Sequence, residues 1–108
     1  MNSESRRVAA AELQAFIARA FTAIGISAGE AASIAELMTR ADVNGADGHG
    51  VFRLPQYIRR IKGGAVNIKP HIRVARDAPG MALVDGDNGM GHLVMRFATD
   101  HAIAKAKT

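Results

Sequence analysis

The sequence predicts an α+β fold that is mostly helical. Two antiparallel N-terminal helices lead to a third helix after a Gly-rich loop, then a short β-ribbon and a C-terminal helix. Three observations predict it. Apolar residues recur at helical spacing before Gly25, again before Arg40, and after Gly91. Glycines cluster at 45–50 and 86–91, where regular structure must break. Two short β-type runs flank Asp77-Ala78-Pro79-Gly80, a turn sequence.

Met1 to Arg7 is polar and reads as a flexible N-terminus, leaving residues 8–108 as a single domain. Leu13, Phe16, Ile17, Ala20, Phe21 and Ile24 then form the apolar stripe of a first amphipathic helix. Gly25 stands where a left-handed C-terminal cap belongs. Ser27 followed by Glu30 fits a capping box, in which each side chain satisfies a backbone N–H. The second helix runs through Ala31, Ile34, Ala35 and Met38, and the short link pairs it antiparallel with the first.

The third helix runs through Leu54, Ile58 and Ile61 to Gly63 and Gly64. Pro55 is tolerated only in its first turn, which sets the start near Val51 to Leu54. Ile72 to Ala75 and Met81 to Val84 are the expected strands. A ribbon of two strands is marginal alone and must lean on other elements. The last helix carries Leu93, Val94, Phe97, Ala98 and Ala102 on one side.

With 108 residues, 48% hydrophobic and 22% charged, the chain has a globular composition. It has no cysteine, which excludes disulfides, zinc–thiolate sites and thiol nucleophiles and makes a reducing cytoplasm the expected compartment. No apolar run reaches the roughly 20 residues of a membrane span, so no membrane partner is expected. Aromatics are 5%, so the core is thin. His71, His92 and His101 form no metal-ligand pattern with nearby acids, and no metal site is expected.

The net charge of +4 is unevenly spread. Arg53, Arg59, Arg60, Lys62, Lys69, Arg73 and Arg76 follow one another with no acidic residue between. Such a run attracts anions, or is a solvated face balanced elsewhere in the fold. The cluster argues weakly for a nucleic-acid partner: only Phe52 and Tyr57 accompany it, too few for a stacking surface.

Chemistry concentrates in Asp47-Gly48-His49-Gly50-Val51-Phe52-Arg53, with Tyr57 beyond. His49, Arg53 and Tyr57 are spaced i, i+4, i+8, so a helix starting near His49 would point all three to one side. Imidazole exchanges protons near neutral pH. Guanidinium holds a carboxylate through two parallel hydrogen bonds. A phenol orients a substrate oxygen. Together they suit an α-substituted carboxylic acid, and the flanking glycines let it approach the backbone. The alternative is a polar helix start with a capping His and a solvated Arg. Gly86-Asp87-Asn88-Gly89-Met90-Gly91 could offer N–H groups to a phosphate or be an ordinary turn. It is not the dinucleotide-binding G-x-G-x-x-G.

These residues carry a family resemblance. Gly45-Ala46-Asp47-Gly48-His49-Gly50-Val51-Phe52-Arg53-Leu54-Pro55-Gln56-Tyr57 is similar to the Gly-x-x-Ser-His-Gly-x-x-Arg-x-x-x-Tyr segment of the malate/L-lactate dehydrogenase family, the non-Rossmann type of lactate dehydrogenase. Gly63-Gly64-Ala65-Val66-Asn67 resembles its Gly-x-Ile-Asn-Pro stretch, and Ala82 to Gly91 its Val-Asp-Gly-x-x-Gly-x-Gly loop. The likeness runs from about Arg7 to Lys107.

The resemblance implies an NAD- or NADP-dependent oxidoreductase of 2-hydroxy, 2-oxo or related imino acids, working as a homo-oligomer, typically a dimer. It implies that His49 is the catalytic proton donor and acceptor, and that Arg53 and Tyr57 bind substrate. Gly48 stands at the substrate-binding position where the family carries Ser, so a hydroxyl that could contact substrate or fix the His is missing. Family members are longer, with most cofactor-binding segments beyond the part matched here. The resemblance therefore implies the N-terminal part of such an enzyme, inactive by itself. A non-catalytic oligomerising module is the alternative, and a small basic nucleic-acid binder ranks below it.

Overall fold

Helix α1 spans Ala10–Ala23 and stops where the sequence places Gly25. Gly25 takes φ +104°, a conformation that costs a side-chain-bearing residue about 1 kcal/mol or more. Its N–H donates to Thr22 O at 3.1 Å and the Ile26 N–H donates to Phe21 O at 3.2 Å. That pair of bonds is a Schellman ending, and it turns Ile26 into the core beside Phe21.

Helix α2 spans Ala28–Val43. At its start the Glu30 N–H donates to Ser27 Oγ at 3.4 Å, and the Ser27 hydroxyl donates to Glu30 Oε1 at 2.9 Å. The expected reciprocal box is therefore only half formed: the Glu30 carboxylate takes the hydroxyl rather than a backbone N–H. The two helices, joined by residues 24–27, pack along their length. Ile17 and Phe21 on α1 meet Ala31, Ile34, Ala35 and Met38 on α2, all fully buried. Each of the large side chains contributes about 1.5–3 kcal/mol. The alanines let the helix axes approach.

Two single 3-10 turns, Asp47–His49 and Val51–Arg53, precede helix α3, which spans Leu54–Lys62 with Pro55 in its first turn. Leu54 and Ile61 seal the helical body. Strand β1 (Arg73–Ala78) pairs antiparallel with β2 (Met81–Asp85). The ladder runs further than the sequence suggests: Asp77 pairs with Ala82 and Ala78 with Met81, so only Pro79-Gly80 forms the loop. A register shift between Val74 and Arg76 twists the ribbon.

Helix α4 spans Gly91–Ala106 and leans on β2 and α2. Leu93, Val94, Phe97 and Ala98 are half-buried as the periodicity suggests, but Ala102 is exposed. His101 and Lys105 take the inner side instead, because the turn of the hairpin offers them an acid and a carbonyl. Lys105 Nζ donates to Ala78 O at 2.6 Å and pairs with Asp77. Lys105, as hydrogen-bond partner, holds the Asp77 carboxyl below its ordinary range.

The loop before α4 is tied down by side chains. Asn67 Nδ2 donates to Asp87 O and to Asp87 Oδ2, each at 3.0 Å, and the His71 N–H donates to Asp87 Oδ2 at 2.8 Å. Gly89 lies so close to Pro70 that a Cβ would collide with it. The loop's own atoms thus use most of its polar groups.

Buried apolar residues run from Ile17 to Ile61, with Met90 the one beyond, and α4 buries none completely. The Cα radius of gyration is 15.8 Å, where a compact chain of this length has about 13 Å. Ribbon and α4 form an arm beside the helical body, and a cleft opens between them. Among the described residues, 6–108, no helix is long and apolar enough to cross a membrane. Residues 1–5 of the expected flexible segment lie outside the described part.

Candidate active site

The chain leaves α2 through Asn44 and Gly45 and immediately makes the turn that holds His49 and Arg53. One contact across nine residues sets that turn. Asp42, in the last turn of α2, accepts the Val51 N–H on Oδ2 at 2.8 Å. Its carboxylate also fills the space a side chain at Gly50 would need. Gly50 is itself buried. An acid is disfavoured at a helix C-terminus, where the backbone dipole is negative. Here the acid reaches past its own helix end to cap the next element. That misplaced acid was the available signal for a residue that sequence reasoning missed.

Gly50 separates the two 3-10 turns, so no single helix runs from His49 to Tyr57. Arg53 folds back over the turn. Its Nε donates to Gly48 O at 2.8 Å and its Nη1 to Gln56 Oε1 at 2.9 Å. The guanidinium carbon stands 5.7 Å from the Phe52 ring centre. A guanidinium has five N–H donors. Two are used here and three remain. His49 is exposed beside this assembly, and its imidazole makes no hydrogen bond among the described residues. A Cβ at Gly48 would meet nothing within 4 Å, so the space next to His49 is open.

Tyr57 goes elsewhere. It lines a cleft of about 870 Å³ between α2, α3 and α4, with Glu36, Arg40, Arg60, His92 and Arg96 among its neighbours. His49 and Arg53 do not line it. The Tyr57 and His92 rings meet edge to face, with centroids 5.4 Å apart at 82°. His92 was not singled out with Tyr57, because the 34 intervening residues hide the contact. Glu36 sits between two cations, 3.0 Å from Arg40 and 3.4 Å from Arg96. His49 and Arg53 thus lie in two successive turns that the Arg53–Gly48 bond ties together, and Tyr57 lies with His92 in the cleft.

Burial pushes the His92 imidazole below its ordinary value of 6.5, and its Nδ1 is buried without a partner among the described residues. The unfolded chain therefore takes up a proton first as pH falls. Stability should be unaffected by this group above pH 6.5 and should decline below it, until the folded state also protonates. His92→Phe should remove that part of the slope in melting temperature between pH 7.5 and 5. An unchanged slope would assign it to another group.

The family profile described as Malate/L-lactate dehydrogenase matches residues 8–108. A malate dehydrogenase of Pyrococcus horikoshii is 42% identical over 101 residues, covering 94% of this chain and 28% of that protein. An L-sulfolactate dehydrogenase of Methanocaldococcus jannaschii is 40% identical over 83 residues, covering 77% of this chain and 24% of that protein. The solved structure of the Pyrococcus horikoshii malate dehydrogenase superposes with a TM-score of 0.92 at 40% identity, over 98% of this chain and 30% of that one. The chain thus spans less than a third of the length of these relatives.

Proposed function

This chain belongs to the malate/L-lactate dehydrogenase family, and from that premise we propose that it is the substrate-side part of an NAD(P)-dependent oxidoreductase of 2-hydroxy and 2-oxo acids. The relatives it matches are dehydrogenases. The observation that carries the reading is the hold of Arg53 on the Gly48 carbonyl, which fixes a guanidinium with free donors over the backbone next in sequence to an exposed His49.

In this reading Arg53 holds the acid's carboxylate by charge-assisted hydrogen bonds. His49 takes the hydroxyl proton as the 2-hydroxy acid is oxidised and returns it in the reverse direction. The chemistry a nicotinamide dinucleotide would supply when bound is an acceptor for the hydride of the acid's second carbon. The first part of the Gly86–Gly91 loop is a poor place for it, since Gly86 and Gly89 close against Val94 and Pro70, whereas Gly91, at the start of α4, is open. The N-terminus of α4 and the cleft arginines have the better chemistry for its phosphates.

The test is binding at the turn. Malate and oxaloacetate titrated into the 108-residue chain should shift the NMR signals of the Arg53 side chain and the His49 ring, whereas 2-propanol, which lacks the carboxylate, should not. Acids that leave both signals in place overturn the reading. The chain with NADH and oxaloacetate is expected to show no turnover.

A second reading, self-association, is favoured by exposed apolar side chains. Phe52 is 72% exposed and Met95 65%. Light scattering should show concentration-dependent mass, and a monomer at every concentration excludes it.

A further inference from the structure

Two asparagines of the described chain precede a glycine, in Asn44-Gly45 and Asn88-Gly89. Asparagine is a labile residue, and most so before glycine. The glycine nitrogen can attack the side-chain amide carbon and close a cyclic imide, and no side chain on the glycine crowds the approach. Structure decides which of the two pairs is free to react.

Asn88 is held. Its Nδ2 donates to Ala65 O at 2.9 Å, and its carbonyl accepts the Asn67 N–H at 2.9 Å. The Gly89 N–H, the group that would attack, donates to Gly86 O at 2.9 Å, and Gly89 lies against Pro70. Ring closure there would pull apart the link between Asn67 and the Asp87 loop. Asn44 is the C-cap of α2 and is exposed, and its side chain has no hydrogen-bond partner among the described residues. Gly45 takes φ +83°, and a Cβ there would meet nothing within 4 Å, so the space beside the peptide is open. Ring closure needs the Asn44 ψ of 3° to rotate. That breaks the Gly45 N–H bond to Asp42 O at 3.1 Å and the Ala46 N–H bond to Ala41 O at 2.8 Å. Both lie at an exposed helix end, where local opening is easiest.

We propose that Asn44 is a modification site: its side-chain amide is lost through ring closure with Gly45, and the β-linked aspartate that results loosens the turns carrying His49 and Arg53. The Gly45 nitrogen bonds to the Asn44 side-chain carbon. The bond from that carbon to Nδ2 breaks, and ammonia leaves with the proton of the Gly45 N–H. Water then opens the imide at either carbonyl, giving aspartate or its β-linked isomer. The isomer inserts a further carbon into the backbone between α2 and the first turn. Asp42 and Val51 flank that insertion and are joined by a 2.8 Å bond, so the longer link pulls against it. The new carboxylate also adds negative charge at the C-terminus of α2, near Asp42 and Asp47 in sequence.

The test is ageing of the 108-residue chain in mildly alkaline buffer, followed by tryptic mass mapping and amide exchange. The peptide Ala41–Arg53 holds a single asparagine. It should gain the mass of an amide-to-acid exchange about tenfold faster than the peptide Asp77–Arg96, which carries Asn88, because of the further bonds that hold Asn88. Isomerisation at Asp47-Gly48 leaves the mass unchanged and is not confused with it. In urea the two peptides should react alike. Val51 amide exchange should accelerate in the aged chain and keep the parent rate in Asn44→Gln aged beside it. Freshly made Asn44→Asp carries the charge without the extra carbon, so its Val51 amide should exchange like that of the unaged parent. Asn88 reacting first or equally fast in the folded chain overturns the proposal. So does a preference for Asn44 that persists in urea, since local sequence would then be its cause. An aged chain rich in β-linked residue 44 whose Val51 exchange is unchanged overturns it as well. None of these readouts uses malate, so this inference and the proposed function fail separately.

Discussion

Gly50→Ala should destabilise the chain by about 2–4 kcal/mol and free the turn that carries His49 and Arg53. Backbone strain is not the cause, since Gly50 has φ −98°, which alanine adopts readily. The cause is the Asp42 carboxylate, which occupies the position of the new methyl group. Either the carboxylate moves, which gives up its bond to the Val51 N–H, or the turn lifts off α2. Both outcomes expose the start of α3. For a domain of this size the melting temperature should fall by roughly 10–25 °C. Amide exchange at Val51 should accelerate.

Asp42→Ala separates the two causes. Alone it leaves the Val51 N–H without its partner, at about 1 kcal/mol or more. In the double variant the clash is relieved, so the combined loss should be smaller than the sum of the single losses. Additive losses, or a Gly50→Ala protein that melts like the parent, would remove Asp42 as the support of the turn.

Local signals in the sequence were enough for most elements. Gly25 ends α1 because only a left-handed residue closes that turn, and Pro55 sets the start of α3 because proline lacks a donor. The periodic stripes on α1 and α2 gave the buried residues Ile17, Phe21, Ile34 and Met38. What sequence did not disclose were contacts between distant residues. Asp42 reaches Val51 across nine positions, Asn67 reaches Asp87 across 20, and Tyr57 meets His92 across 35. Regular spacing also misled twice. The i, i+4, i+8 interval of His49, Arg53 and Tyr57 assumes an unbroken helix, whereas buried Gly50 splits the segment. Ala102 was assigned to the inner face of α4 on period alone, and Lys105 displaced it because Asp77 and the Ala78 carbonyl wait opposite.

Arg53→Gln should weaken malate binding roughly ten- to a hundredfold, the range for losing a charge-assisted hydrogen-bond pair. Arg53→Lys should recover little of it. The guanidinium supports the turn through Gly48 O and Gln56 while keeping three donors for a ligand. An ammonium has three donors in all, grouped on one atom. It cannot hold the Gly48 carbonyl and still present a planar pair to a carboxylate. Gln56→Ala is the control. It removes one support and no ligand contact, and the Gly48 carbonyl still holds Nε, so it should weaken binding only a fewfold. Gly48→Ser completes the set. The site of its Cβ is empty, so folding stability should change by no more than about 0.5 kcal/mol. A new hydroxyl would then stand beside His49, where the acid's oxygen is expected, and malate should bind more tightly. If Arg53→Lys binds malate like the parent, the carboxylate is held by charge alone, and the fork geometry of this turn has no part in recognising the acid.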